Sequence, residues 1–154
     1  MERIRMQDVP SGMNDQLMAT ENYINDSPLG EHLLELLRLR VAQLNHCAYC
    51  LDMHHKKLKH LGESDLRLSS VCVWEETPYF DEKEVAALQF ADELTTLSNG
   101  SPLASTFSAL EKHFSKPEIC YLTLAIAHIN TWTRLMKTFN FTPGKYKVRE
   151  HEAV

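Results

Sequence analysis

Apolar residues recur along most of this chain at intervals of three and four, the period of a helix with one buried face. A first helix is expected from Asn14 or Asp15 to Ile24, with Leu17, Met18, Tyr23 and Ile24 as its apolar face, broken by Asn25-Asp-Ser-Pro28. A second runs from about Gly30 to Leu44. Leu33, Leu34, Leu36, Leu37, Val41 and Leu44 crowd most of its circumference, which predicts deep burial. Glu35 sits among those leucines. A third opens near Cys47 and ends at Gly62, with Lys56, Lys57, Lys59 and His60 where the helix dipole favours cations.

Ser64 is the expected N-cap of a fourth helix carrying Leu66, Leu68, Val71, Val73 and Trp74, although Arg67 stands where a capping box wants an acid. That helix stops at Glu75-Glu-Thr-Pro78. Asp81 and Glu84 form a full capping box for a fifth, which Val85, Leu88, Phe90, Ala91, Leu94 and Leu97 carry to Asn99-Gly100. A sixth spans about Pro102 to Phe114. The last, Lys116 to Phe139, closes before Thr142-Pro-Gly. Residues 1–13 read as an irregular arm and 145–154 as a polar tail. The five glycines and six prolines fall between periodic segments. The expectation is an all-α bundle of about six to seven helices with no sheet.

The totals narrow the function classes. At 154 residues, 44% hydrophobic and 24% charged, the chain is expected to be one domain over 1–154. A net charge of −5 argues against nonspecific nucleic-acid binding, which needs a basic face. No apolar run approaches the roughly 20 residues of a membrane span. The N-terminus has no apolar segment of the signal-peptide kind, so a cytoplasmic location with no membrane partner is expected. In that compartment a C-x-x-C pair is catalytic or metal-binding rather than structural.

The pair is Cys47-Ala-Tyr-Cys50, followed by Leu-Asp-Met-His54. Two thiols and an imidazole at i, i+3 and i+7 share one stripe of a helix. A helical hairpin would bring Glu35 against them. A carboxylate fixes the tautomer of an imidazole and raises its basicity, and the imidazole can deprotonate a thiol. The second thiol can then resolve the oxidised first one as a disulfide. Two arguments about which thiol reacts first disagree. Cys47 is nearer the helix N-terminus, where the dipole favours thiolate, and Cys50 is one turn before His54.

Plainer readings stand beside these. Glu35 could be a partly buried acid paired with Arg38 or Arg40. Cys47 and Cys50 could be half of a zinc site, but Cys72 and Cys120 are solitary and read as buried small hydrophobes. No metal and no cofactor is called for. Trp74, Tyr79, Phe80 and Trp132 could line an apolar access pocket, or pack in the core or a subunit interface. His128 could face the site or be a hydrogen-bonded core histidine. His46 could steady a thiolate or simply occupy a turn.

Glu35, Arg40-Val-Ala-Gln-Leu-Asn45 and Cys47-Ala-Tyr-Cys50-Leu-Asp-Met-His54 together resemble the alkylhydroperoxidase AhpD-like core of the carboxymuconolactone decarboxylase superfamily. Gly62-Glu, Leu66-Arg-Leu, Trp74-Glu-Glu-Thr-Pro78 and Ile126-Ala-His-Ile-Asn130-Thr-Trp132-Thr-Arg134 extend the resemblance over about residues 15–144. It implies an all-α fold assembling as a homo-trimer or homo-hexamer. It implies a thiol peroxidase or disulfide reductase of antioxidant defence, with Cys50 peroxidatic, Cys47 resolving, and His54 and Glu35 as the proton relay. The best-studied members carry a His immediately before the second Cys. Here that place is Tyr49, and a phenol of pKa about 10 cannot shuttle protons at neutral pH.

The reading is a thiol-dependent reductase of small hydroperoxides, regenerated by a dithiol or lipoyl-type reductant protein. Its rivals are a non-redox, decarboxylase-like catalyst using His54 and Glu35, and a non-catalytic oligomer whose thiols sense redox poise.

Overall fold

In the computed structural model, which describes residues 2–97 and 103–148, the apolar period resolves into seven α-helices. They are α1 (Met13–Asn25), α2 (Glu31–Leu44), α3 (Ala48–His60), α4 (Asp65–Ser70), α5 (Glu82–Thr95), α6 (Leu103–Leu110) and α7 (Lys116–Phe139). Short 3-10 stretches cover Met6–Asp8 and Val71–Glu76, and the described residues contain no strand. The all-α expectation therefore holds. None of these helices is long and apolar enough to cross a membrane.

Helix α2 is the axis of the bundle and packs against α3, α5 and α7. Its leucines Leu34, Leu36, Leu37 and Leu39 are all buried. Each stabilises the fold by about 1.5–3 kcal/mol. Its inward-facing charged residues Glu35, Arg38 and Arg40 are paired rather than solvated. Arg40 grips Asp92 of α5 through two bonds of 2.6 Å, and Trp74 Nε1 donates to the same carboxylate at 3.2 Å.

Local signals set the ends of the helices. Gly62, at φ +88°, makes the left-handed turn that stops α3, and the Glu63 amide then donates to the Leu58 carbonyl at 2.9 Å. At α5 the Glu84 amide donates to Asp81 Oδ1 at 2.8 Å, and Glu84 Oε2 accepts from the Asp81 amide at 3.0 Å. Asp81→Ala is expected to lower unfolding stability by about 1 kcal/mol, read from the urea midpoint. Ser64 caps α4 as expected. Arg67, lacking a capping role for its side chain, instead pairs with Glu63 and Glu84.

Several expectations need correction. The fourth helix does not run through to Trp74. Its chain leaves α-geometry after Ser70, and Val73 adopts φ −129° and ψ 33°. That kink resets the apolar register and leaves Val73 exposed; Leu66, in the first turn of α4, is exposed as well. Cys72 and Cys120, read as buried, are exposed, the first beside the kink and the second on the outer face of α7. Tyr23 is also exposed, its ring 5.5 Å from that of Tyr121. The expected break at Asn99-Gly100 and the helix start at Pro102 lie outside the described residues.

The arm and the described start of the tail both return to the bundle. The Arg3 amide donates to the Phe139 carbonyl at 2.8 Å. Lys56 Nζ donates to the carbonyls of Gly144 and Tyr146, each at 3.1 Å, and the Gly144 amide donates to Asp52 Oδ2 at 3.0 Å. These bonds bring both segments to the edge of a cavity beside α3.

Candidate functional site

Asn45 and His46 reverse the chain between α2 and α3. His46 takes φ +50° and is exposed, so it occupies the turn. The reversal makes Cys47 the N-cap of α3 and folds α3 back along α2. Glu35 on α2 thereby meets His54 on α3, although nineteen positions separate them. Glu35, Cys47, Cys50 and His54 are all at most 2% exposed.

The carboxylate of Glu35 is fully engaged. His54 Nδ1 donates to Oε2 at 2.6 Å, while Arg38 Nη1 and Lys57 Nζ donate to Oε1 at 2.7 and 3.1 Å. Burial alone would raise this carboxyl's pKa. The contact with His54, then the charges of Arg38 and Lys57, outweigh it and hold the group well below the usual carboxylate range. Both readings of Glu35 thus apply together: it pairs with Arg38, and it orients the imidazole. Arg40 is engaged elsewhere.

His54 is fixed in one tautomer by this arrangement. An ionised carboxylate only accepts, so Nδ1 carries the ring proton and Nε2 keeps its lone pair. Burial lowers the pKa of His54; Glu35 opposes that, and Arg38 and Lys57 add to it. The ring is therefore neutral. Its Nε2 is buried and has no hydrogen-bond partner among the described residues. A neutral imidazole with a free lone pair is a proton acceptor in waiting.

The sulfurs of Cys47 and Cys50 lie 2.9 Å apart, both as free thiols. One proton can be held between them. That favours the first ionisation and resists the second. The hydrogen bond from Cys50 draws Cys47 down to about 7 despite burial, with the Cys50 and Tyr49 amides and Lys137 acting in the same direction. The same bond, together with burial, pushes Cys50 up. Burial, then the neighbouring Cys50, raises the Tyr49 phenol above its ordinary value, so it stays protonated.

Access differs from acidity. A cavity of about 450 Å³ opens between α1, α3 and α7, bordered by Cys50, His54, Tyr49, Met18, Trp132 and Phe141. Met6 of the arm and Tyr146 of the tail close its edges. Cys50 and His54 border the cavity one helical turn apart, and Cys47 does not border it. Of the four aromatics considered from sequence, Trp132 borders the cavity, Trp74 and Phe80 are core, and Tyr79 is exposed. His128 is buried, with Trp132 Nε1 at 2.9 Å and Glu21 Oε2 at 3.2 Å from its Nε2. Among the described residues no group of three or more His, Cys, Asp or Glu side chains is placed to hold a metal ion.

Sequence reasoning missed Glu21 and the role of Lys57. Lys57 is three residues after His54, on the same face, and that spacing was legible. Glu21 comes from α1, and no local spacing links it to Glu35.

Comparison with known proteins finds relatives of the same helical fold. A family model for the carboxymuconolactone decarboxylase family matches residues 12–93. The uncharacterized protein YdfG of Bacillus subtilis is 29% identical over 126 residues, 82% of this chain and 85% of its own length. A crystal structure of a protein of unknown function from Agrobacterium tumefaciens, described as a candidate antioxidant-defence protein AhpD, matches with TM-score 0.89 and 35% identity. It covers 95% of this chain and 100% of that one. An uncharacterized peroxidase-related protein with an alkylhydroperoxidase AhpD core, from Ralstonia eutropha JMP134, matches with TM-score 0.72 over 86% of this chain and 73% of its own. At 22% identity it speaks for the fold alone.

Proposed function

The chain belongs to the carboxymuconolactone decarboxylase family, and from that premise we propose that it is a thiol-dependent hydroperoxide reductase cycling through a Cys47–Cys50 disulfide. The observation that carries the reading is the unpartnered Nε2 of His54, held as a base by Glu35 on the wall of the cavity that Cys50 also borders. A structural ion pair would not require that nitrogen to be left free.

The proposed cycle balances as follows. The dithiol gives one proton to His54 Nε2, and Glu35 steadies the resulting imidazolium. The remaining proton rests on Cys50 in the free dithiol, and it passes to Cys47 across the 2.9 Å sulfur–sulfur contact as Cys50 becomes the attacking thiolate. Cys50 attacks the terminal oxygen of the hydroperoxide. A sulfur–oxygen bond forms, the O–O bond breaks, and the leaving alkoxide takes the Nε2 proton to become the alcohol. Cys50 is now a sulfenic acid. Cys47 gives its proton to Nε2 and attacks the Cys50 sulfur. The disulfide forms, and hydroxide leaves with that proton as water. An external dithiol then reduces the disulfide and is itself oxidised. Tyr49 supplies at most a hydrogen bond to these steps, since its phenol keeps its proton.

The test is consumption of tert-butyl hydroperoxide with dithiothreitol or a dihydrolipoyl protein as reductant. Turnover, with a Cys47–Cys50 bridge found by mass spectrometry when reductant is withheld, supports the reading. A bridge that forms without turnover favours a redox sensor instead. Cys47→Ser is expected to reduce peroxide in a single turnover and stop, leaving a sulfenic acid on Cys50 that dimedone labels. Continued turnover in that variant would rule out the resolving role.

A further inference from the structure

Cys50 borders a cavity of about 450 Å³ and yet is 0% exposed, and His54 beside it is 1% exposed. A molecule can touch that sulfur only after part of the wall moves. Helices α1, α3 and α7 are poorly suited to the motion, because each is internally hydrogen-bonded and packed into the bundle. The arm contributes Met6, which is 60% exposed and covers little. The chain beyond α7 is different. Phe141, Tyr146 and Val148 border the cavity from a stretch without helix or strand.

The side chains of this stretch alternate. Lys145 and Lys147 are exposed, whereas Tyr146 and Val148 are half-buried at the cavity. A period of two is that of an extended segment with one apolar face. Phe141 anchors its start, with its ring 5.9 Å from that of Tyr49, the neighbour of Cys50 in the chain. Among the described residues, the hydrogen bonds that hold the segment down run through one ion pair on α3. Lys56 Nζ, 2.8 Å from Asp52 Oδ1, donates to the Gly144 and Tyr146 carbonyls, and Asp52 Oδ2 accepts from the Gly144 amide. A cover held by three such bonds and two half-buried side chains opens at far lower cost than a helix of the core.

We propose that residues 142–148 are a strap over the cavity, latched to α3 by Asp52 and Lys56, and that lifting this strap admits molecules to Cys50. Asp52 and Lys56 are positioning residues that act through the strap. The strap governs entry whatever chemistry the thiol performs, so the proposal stands apart from the reductase reading.

The experiment measures strap opening and thiol access side by side in the full chain, kept reduced and without peroxide. Opening is read from hydrogen exchange of the Gly144 amide. Access is read from the rate at which iodoacetamide labels Cys50 in a Cys47→Ser background, by peptide mass spectrometry. Exposed Cys120 is the reference for the reagent. The Leu51 amide, bonded to the Cys47 carbonyl in the first turn of α3, reports any fraying of that helix. Lys56→Met keeps the stem and removes the ammonium. It is expected to speed both Gly144 exchange and Cys50 labelling about tenfold, with Leu51 and Cys120 unchanged. Loss of a cation would by itself disfavour the thiolate and slow labelling, so acceleration reads access. Tyr146→Ala, which lies outside every helix, is expected to act in the same direction. Faster Gly144 exchange with unchanged Cys50 labelling would overturn the proposal. So would acceleration of Leu51 exchange together with Cys50 labelling, or Gly144 exchange that neither variant alters. Failure of the reductase reading would leave all of these rates as they are.

Discussion

Glu35→Gln is expected to lower peroxide turnover by about two to four orders of magnitude. The substitution is nearly isosteric, so the loss is electrostatic. The introduced amide would still accept from Arg38 through its oxygen, but its N–H₂ would face His54 Nδ1, where the carboxylate now accepts. Two donors cannot share that contact. The imidazole would answer by moving its proton to Nε2, and the free lone pair on that nitrogen would vanish. The variant would also leave buried Arg38 with Glu21 as its remaining acid partner and half-buried Lys57 beside a neutral group. Removing one partner of such a pair costs about 3–5 kcal/mol, visible as a lower urea midpoint. Rates and stability together distinguish a reversed tautomer from simple unfolding.

The pH dependence of stability carries the same signature. Burial first, and Arg38 and Lys57 with it, keep folded His54 below its ordinary 6.5, so the unfolded chain binds a proton that the folded one resists. Wild-type stability is therefore expected to fall as pH drops through about 6.5. Glu35, held below its ordinary 4.5 by its cationic partners in spite of burial, adds a second decline below that value. In Glu35→Gln the second decline is expected to be shallower. Urea midpoints across pH 3–8 read both.

Cys50→Ser is expected to lower turnover by on the order of 10⁴-fold or more, to the uncatalysed rate. A serine hydroxyl neither ionises near neutrality nor forms a disulfide. The fold should tolerate the change at about 1 kcal/mol, because Cys47 Sγ is at hand as a partner for the new hydroxyl. Cys47 remains in that variant and is expected to react with iodoacetamide as a thiolate. Its failure to sustain turnover would separate acidity from access. Turnover that survived would remove the Cys50 cycle from consideration.

The two sulfurs differ in the properties on which the two sequence arguments rest. The helix-end argument named Cys47 and the neighbouring-base argument named Cys50. Cys47 is the sulfur drawn down to about 7 at the N-cap of α3, and Cys50 is the one that borders the cavity with His54. Each argument concerned a different property. Helix spacing can place two sulfurs on one stripe, but only the packing of α1 and α7 decides which of them meets open space.

Helix ends were legible because short-range contacts make them. The Asp81–Glu84 box, Gly62 after α3, and the span Lys116–Phe139 all stand where the sequence puts them. The kink at Val73 was not legible, since Leu66, Leu68, Val71, Val73 and Trp74 keep a plausible helical period through it. The same break explains why Cys72 faces solvent instead of the core.

The sequence by itself determined that this chain is helical, that α2 is buried with an acid inside it, and that two thiols and an imidazole share the start of α3. Those features depend on residues within a few turns of one another, where spacing fixes geometry. Tertiary structure alone decided that Glu35 gathers His54, Arg38 and Lys57, that Nε2 of His54 is left free, and that Glu21 and Trp132 meet at His128. Those contacts join α1, α2, α3 and α7. A polar group buried between helices takes its charge and its proton from whichever partners packing delivers, and no local spacing specifies them.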